Sequence, residues 1–279
     1  MTSVELSAKD FNQFRNLVYE KCGINLGEGK KDLVRARLSK RLRKLGLESF
    51  RDYYKMVTED SSGQELVCLM DAISTNLTSF FREKKHFDFL TDKILPDFMK
   101  KGKGRSSSEF RVWSAGCSSG EEPYSISISL NDFAEKAGAL PYRILATDIS
   151  TKVLDKAASG IYDFERVKNL NPILRNKCFL KGHTSMDGQV KVKPFIREPV
   201  TFKRLNLMDS FPFRDHFDLI FCRNVMIYFD KKTQEQLVKK YHDSLRPGGY
   251  LFIGHSESLM GISHSFSYVQ PTIYLKSNS

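Results

Sequence analysis

Val112-Trp113-Ser114-Ala115-Gly116-Cys117-Ser118-Ser119-Gly120-Glu121-Glu122-Pro123-Tyr124 runs from an apolar, strand-forming start through small residues into a helix whose first turn is acidic. Strand, tight loop and helix in that order form the opening unit of an open parallel sheet. Gly116 and Gly120 carry no Cβ, so a ligand could approach the backbone there, although tight packing alone would also call for them. The loop is not a phosphate loop. Glu121 and Glu122 sit where a pyrophosphate needs positive charge, and no Lys-Ser or Lys-Thr follows as in a Walker sequence. A neutral or cationic adenosyl group suits it better than a dinucleotide.

Working outward, further apolar runs alternate with helical patterns: Arg143–Asp148, Val200–Leu205, Phe217–Cys222 and Tyr250–His255 read as strands, with Phe110–Ala115 as the first. Helices follow the first, second and fourth, the last of them Lys231–Leu245 behind a capping Asp230. This predicts a doubly wound α/β core. Ser265–Gln270 and Thr272–Ser277 flank Pro271 and read as a final pair of edge strands, while Pro247-Gly248-Gly249 reads as a turn. Between Gly160 and Pro199 the alternation breaks. Asp187-Gly188 beside alternating residues signals a β-hairpin there, either an accessory subdomain or a surface excursion.

Upstream, roughly the first 80 residues read as short amphipathic helices with no strand-like run. Ser7 with Asp10 marks an N-cap, Phe11, Phe14 and Val18 share a face, and Gly23 supplies a stop. A second helix runs from Lys30 to Leu45 and ends at Gly46. Phe50, Tyr53, Tyr54 and Val57 mark a third, and Leu66, Leu69, Met70 and Ile73 a fourth. A helix near Glu83–Lys93 and a linker-like Gly102–Ser108 lead into the α/β part. The division is 1–80 for a helical domain and 81–279 for the α/β domain, with the inserted β subdomain at about 180–200.

The 279 residues are 41% hydrophobic and 12% aromatic, a composition that excludes a disordered chain, and 44 Lys+Arg against 33 Asp+Glu leave a net charge of +11 that asks for an acidic partner: nucleic acid, anionic lipid or an acidic protein surface. Much of that charge lies in one segment: Lys30, Lys31, Arg35, Arg37, Lys40, Arg41, Arg43 and Lys44 against Asp32. Val34, Leu38, Leu42 and Leu45 form its apolar stripe. Arg37, Lys40, Arg41 and Lys44 share a neighbouring face, which is either a docking surface or a solvated one. No apolar run reaches the roughly 18 residues of a membrane helix, and the opening residues have no signal-peptide core, so a cytoplasmic location is expected. Five cysteines without a C-x-x-C pair and six histidines without H-E-x-x-H predict no disulfide framework and no metal site. Cys222 reads as a small buried residue and not as a nucleophile.

Three further residues sit where open α/β sheets bind ligands. Asp148, at the end of its strand, can accept both hydroxyls of a ribose, or it can cap the following helix, a task Ser150 could also perform. Arg223 and Asn224 follow a buried run at the same carboxyl edge.

Taken together, Asn76–Glu83 (NLTSFFRE), the WSAGCSSGEEPYSI loop, ATDIS, FCRNVMIYFD and GGYLFIGHSES resemble, over nearly the full length, the chemotaxis receptor glutamate methyltransferases of the CheR family, within the class I S-adenosylmethionine-dependent methyltransferases. The resemblance implies a Rossmann-like doubly wound sheet, an N-terminal all-helical domain and a small inserted antiparallel β subdomain. It also implies S-adenosyl-L-methionine as cofactor and S-adenosyl-L-homocysteine as product. The implied reaction is protein-glutamate O-methylation: glutamate side chains of chemoreceptors (methyl-accepting chemotaxis proteins) become methyl esters in chemotactic adaptation. Asn76, Thr78 and Arg82 would reach the cofactor from the interdomain segment, Glu122 and Asp148 would bind its amino-acid and ribose portions, and Asn206, Leu207, Arg223 and Asn224 would complete the pocket. Arg82 would also position the acceptor carboxylate, and Tyr228 would line the transfer site. The implied partners are the receptor's cytoplasmic domain, met by Arg37, Lys40, Arg41 and Lys44, and in some members a receptor C-terminal tail peptide at the β subdomain. No nucleic acid, no membrane insertion and a monomeric enzyme are expected. A nucleic-acid methyltransferase and a non-catalytic cofactor-binding module are the competing readings.

Overall fold

The computed structural model describes residues 5–74, 76–101, 109–213 and 216–277. The linker-like Gly102–Ser108 lies outside them.

The chain opens with four helices: α1 (Ala8–Cys22), α2 (Lys31–Leu45), α3 (Phe50–Glu59) and α4 (Gln64–Ile73). Their ends are where local chemistry puts them. The Ser7 hydroxyl accepts from the Asp10 amide at 3.0 Å, and Gly23 and Gly46 close α1 and α2 in the left-handed conformation. Phe14, Val18, Leu38, Leu42, Tyr53 and Leu69 pack into one core. Gly23 does more than stop a helix: a Cβ there would stand 2.5 Å from Met208 Sδ in the α/β domain. The two domains meet closely at that point.

Next comes a helix longer than the expected Glu83–Lys93, in three stretches: α5 (Lys85–Phe89), a π-helical turn (Leu90–Ile94) and α6 (Leu95–Lys101). The Leu95 amide reaches back five residues to the Leu90 carbonyl. Pro96 lacks an N–H and its ring crowds the preceding turn, and the widened turn absorbs that conflict without ending the helix. Leu90, Ile94, Leu95 and Phe98 stay buried against the sheet.

The α/β domain then runs β1 (Phe110–Ala115), α7 (Glu121–Ala137), β2 (Tyr142–Asp148), α8 (Thr151–Ser159), β3 (Ile161–Asp163), α9 (Pro172–Cys178), β4 (Phe179–Lys181), β5 (Gln189–Val192), α10 (Pro194–Arg197), β6 (Val200–Arg204), β7 (Phe217–Cys222), α11 (Lys231–Ser244), β8 (Leu245–Ile253), β9 (Phe266–Gln270) and β10 (Ile273–Lys276). Seven strands form one sheet in the order β6-β2-β1-β7-β8-β10-β9, with the first five parallel and β10 antiparallel to both its neighbours. The doubly wound sheet and its antiparallel terminal pair are as expected. β8 begins earlier than Tyr250. Phe217 pairs with Leu245 and Leu219 with Tyr250, so Pro247-Gly248-Gly249 is a bulge within the strand, not a turn before it.

The second sheet is the inserted one, antiparallel in the order β3-β5-β4. It starts at Ile161, not near 180, because three-residue β3 follows directly on Gly160 and pairs with β5 across the insertion. Such a short strand carries too little alternation to be read from sequence. Its far end also differs from the expected 200: β5 closes at Val192, and α10 returns the chain to β6.

Candidate functional site

β1 and β7 lie side by side, yet the chain leaves β1 toward β2 and leaves β7 toward β8. The connections that leave their carboxyl ends therefore run in opposite directions, and a crevice opens at this switch point. The α1–α2 region closes it from the other side. The resulting cleft has about 1250 Å³ of empty space, its open mouth included, and is lined by both domains and the segment between them. Asn76, Thr78, Arg82, Glu122, Asp148, Asn206, Leu207, Arg223, Asn224 and Tyr228 all line it.

The two glycines of the β1–α7 loop are there for protein packing. A Cβ on Gly116 (φ +83°) would meet Val225 Cγ2 at 2.4 Å, and one on Gly120 (φ +95°) would meet the Tyr162 hydroxyl at 2.7 Å. Tight packing, left open by the sequence, accounts for both. With the loop pressed down, the Ser118 amide donates to Asp148 Oδ2 and the Ser150 amide to Oδ1, each at 2.9 Å. Ser150, not Asp148, caps α8 through its hydroxyl. Asp148 is thus a buried carboxylate fixed by amides, with lone pairs remaining on both oxygens for hydroxyl donors. Burial holds its carboxyl above the ordinary range, against the opposing effect of those amides.

Glu122 and Arg223 hold each other. Arg223 Nε donates to Glu122 Oε2 at 2.7 Å, the Ser114 hydroxyl donates to Oε1 at 2.7 Å, and Arg223 Nη1 donates to the Arg82 carbonyl at 2.6 Å. The same Nη1 lies 3.4 Å from Glu83 Oε2 and 3.1 Å from His86 Nδ1. Arg82 is flanked by Phe81 (φ +53°) and Glu83 (φ +59°), two left-handed residues that turn the interdomain segment sharply. Its side chain donates to the Leu77 carbonyl at 2.9 Å.

The remaining predicted residues act partly through their backbones. The Asn206 side chain is committed to the Lys21 carbonyl at 2.7 Å and to the Met208 amide, tying the end of α1 to the β6–β7 loop. Leu207 is buried, and its carbonyl accepts from Lys240 Nζ at 2.8 Å. Asn224 takes a left-handed φ of +60°, and its amide donates to Glu257 Oε2 at 2.9 Å. Glu257 also accepts from the Gly254 and Ile227 amides, so one buried carboxylate shapes the Asn224–Tyr228 loop. Half-buried Tyr228 has Lys30 Nζ 5.0 Å from its ring centroid and accepts the Asn25 amide through its carbonyl. No hydrogen bond to its hydroxyl is seen among the described residues.

The proposed free cationic face of α2 is not as expected. Arg41 forms a two-point ion pair with Glu65 of α4, and Arg37 donates to the Ile73 and Ser74 carbonyls while lining the cleft. Both flank the apolar stripe, so packing α2 on α4 carries them inward to the carboxylate and the open carbonyl end of that helix. Lys40 and Lys44 remain exposed. Glu83, His86 and Glu257 were missed by sequence reasoning. Glu257 lies in the quoted GHSES stretch, where a lone acid among small residues is the one available signal.

The donor set fits an S-adenosyl group: a buried carboxylate with spare lone pairs for ribose hydroxyls, a second carboxylate 2.7 Å from its arginine, and room at the strand ends. Comparison with known proteins agrees. Residues 9–74 match the family described as CheR methyltransferase, all-alpha domain, and residues 76–275 match CheR methyltransferase, SAM binding domain. The two matches meet a few residues before the boundary at 80 expected from the sequence. A chemotaxis protein methyltransferase of Borreliella burgdorferi is 44% identical over 98% of this chain and 96% of its own length. The Salmonella typhimurium and Escherichia coli proteins of the same name are each 40% identical over 96% of this chain, covering 90% and 91% of their own lengths.

Proposed function

The chain belongs to the CheR methyltransferase family, with an S-adenosylmethionine-binding domain over residues 76–275, and on that premise we propose that it methylates glutamate side-chain carboxylates of chemoreceptors. The observation that carries this reading is what the cleft offers an acceptor. Its thiols are disarmed by burial, Cys22 pushed up to about 11 and Cys117 well above its ordinary value. Of its two carboxylates, Glu122 is held by Arg223 and Ser114, and Asp148, held by two amides, would turn its remaining lone pairs to the ribose hydroxyls. Among the described residues no imidazole lines it. A site without a ready general base suits an acceptor that arrives ionised, and a glutamate with a reference pKa of about 4.3 does so at neutral pH.

S-adenosylmethionine, when bound, supplies a methyl group on a sulfonium that a carboxylate oxygen can take without prior proton transfer. The chain's own work is orientation and exclusion of water. Asp148 would hold the ribose hydroxyls. Glu122, kept in place by Arg223 and Ser114, would face the amino-acid end. Tyr228 and Lys30 line the cleft together, where the ring would present a flat wall and the ammonium would attract an approaching carboxylate. Arg82, which also lines the cleft, would position the acceptor carboxylate.

The test is transfer of radiolabelled methyl from S-adenosylmethionine to chemoreceptor-containing membranes, followed by mild alkali. Release of the label as methanol supports a carboxyl ester. Alkali-stable label, label on nucleic acid, or cofactor binding without transfer would refute it. We assign the docking role on α2 to the exposed Lys40 and Lys44. The inserted sheet has open edges at β3 and β4, and titration with receptor tail peptides tests whether either accepts a strand.

A further inference from the structure

The side-chain network behind Arg223 extends well beyond the cleft. His86, in α5, is 1% exposed, its ring against Phe252 of β8. Its Nδ1 lies 3.1 Å from Arg223 Nη1 and its Nε2 lies 2.7 Å from Thr272 Oγ1. A guanidinium can only donate, so Nδ1 is the acceptor and the ring proton sits on Nε2. Nε2–H then donates to the Thr272 hydroxyl, which donates onward to the Pro271 carbonyl at 2.5 Å. Every donor in this chain points the same way, from Arg223 through His86 to the β9–β10 turn. Thr272 occupies that turn at φ +67°, where β-branched residues are rarely found. The strained conformation brings its hydroxyl to the imidazole.

We infer that His86 and Thr272 are positioning residues for cofactor binding: they fix the Arg223 guanidinium, and through it Glu122, from the β9–β10 turn beside the carboxyl end of β8. Without the Thr272 hydroxyl, the Nε2–H that Arg223 imposes on the ring is a buried donor that has lost its partner, and the tautomer Arg223 requires is penalised. An Nδ1–H tautomer sets two donors against each other at 3.1 Å, and Arg223 must leave Glu122 Oε2 or the Arg82 carbonyl to relieve it. The same cluster does not suit a metal ion, although Glu83, His86 and His255 place ligand atoms within 4.8 Å of one another. Arg223 already delivers a cation to both His86 and Glu83.

The inference rests on the cleft being the cofactor site, and the test separates the two. S-adenosylhomocysteine binding is measured by calorimetry on the full chain as wild type, Thr272→Val and Thr272→Ser, with folding followed by circular dichroism. Thr272→Val keeps the shape and removes the hydroxyl. It is expected to raise Kd about tenfold, as when a buried donor loses its partner, while Thr272→Ser stays near the wild type. A wild-type Kd in folded Thr272→Val, or equal weakening in Thr272→Ser, overturns the inference. Should Thr272→Val fail to fold, Thr272→Ala takes its place with the same expected outcomes, and an Nδ1–H ring or an imidazolium in the nitrogen chemical shifts of wild-type His86 at pH 7 refutes the inference. No binding by the wild type would overturn the cleft assignment, and the tautomer readout would still stand on its own.

Discussion

Acidification from pH 7 to pH 5 is expected to cost the α/β domain about 2 kcal/mol through His86 alone. In the folded chain the imidazole is held down to about 3, first by burial, then by the Arg223 guanidinium and by His255, against 6.5 for a free histidine. Glu83 and Glu122 complete the charged surroundings of the network. The value is depressed on folding, so the unfolded chain takes up the proton first. His86 stabilises fully above pH 6.5, and that stability drains away as pH falls toward 3. At pH 5 the unfolded imidazole is almost wholly charged and the folded one almost wholly neutral, which gives about 2 kcal/mol at 1.36 kcal/mol per pH unit. The assay is urea unfolding at the two pH values followed by the fluorescence of Trp113. It is the one tryptophan in the sequence, and it is buried in β1, beside the β7 strand whose Phe221 contacts His86. The comparison is with His86→Gln, which cannot titrate. A His86→Gln protein that loses as much stability between pH 7 and pH 5 as the wild type would refute the reasoning.

Three other perturbations follow from the geometry. Gly116→Ala forces a Cβ to 2.4 Å from Val225 at a left-handed φ, and should lower stability by roughly 2–3 kcal/mol and weaken S-adenosylhomocysteine binding, both read by thermal melts with and without ligand. Asp148→Asn turns an N–H₂ toward the Ser118 or Ser150 amide, and is expected to raise Kd for the same ligand on the order of tenfold or more by calorimetry. Arg41→Ala leaves Glu65 without its partner and should cost about 2 kcal/mol in denaturant unfolding, with the salt dependence of the acceptor KM unchanged, whereas Lys40→Glu with Lys44→Glu should raise that KM and flatten its salt response.

Features carried by neighbouring residues were legible in the sequence. Ser7, Gly23, Gly46 and Asp230 mark helix ends through contacts a few residues away, and buried runs such as Phe217–Cys222 announce themselves. The π turn escaped because helical periodicity alone does not register one extra residue in a turn. β3 escaped because three residues carry no pattern. The cationic face of α2 was right in composition and misjudged in exposure, since Arg41 meets Glu65 only once α2 and α4 have packed. The pocket residues were found through motif resemblance, but their mutual arrangement was not. Glu122 with Arg223 is a contact across 101 positions, and His86 with Thr272 one across 186. Nothing local encodes either.

Gly23 carries a consequence for how this enzyme can be recombined. Its bare backbone rests on Met208, Tyr19 reaches Asp230, and Asn206 holds the Lys21 carbonyl, all at one seam along the cleft. The helical domain is therefore a wall of the binding site and not a detachable module. A chimera joining the first 74 residues of one relative to the catalytic portion of another inherits a mismatched seam unless these partners travel together. Exchange of specificity between relatives should accordingly succeed by substitutions on the outward face of α2 and fail by transplantation of the whole domain.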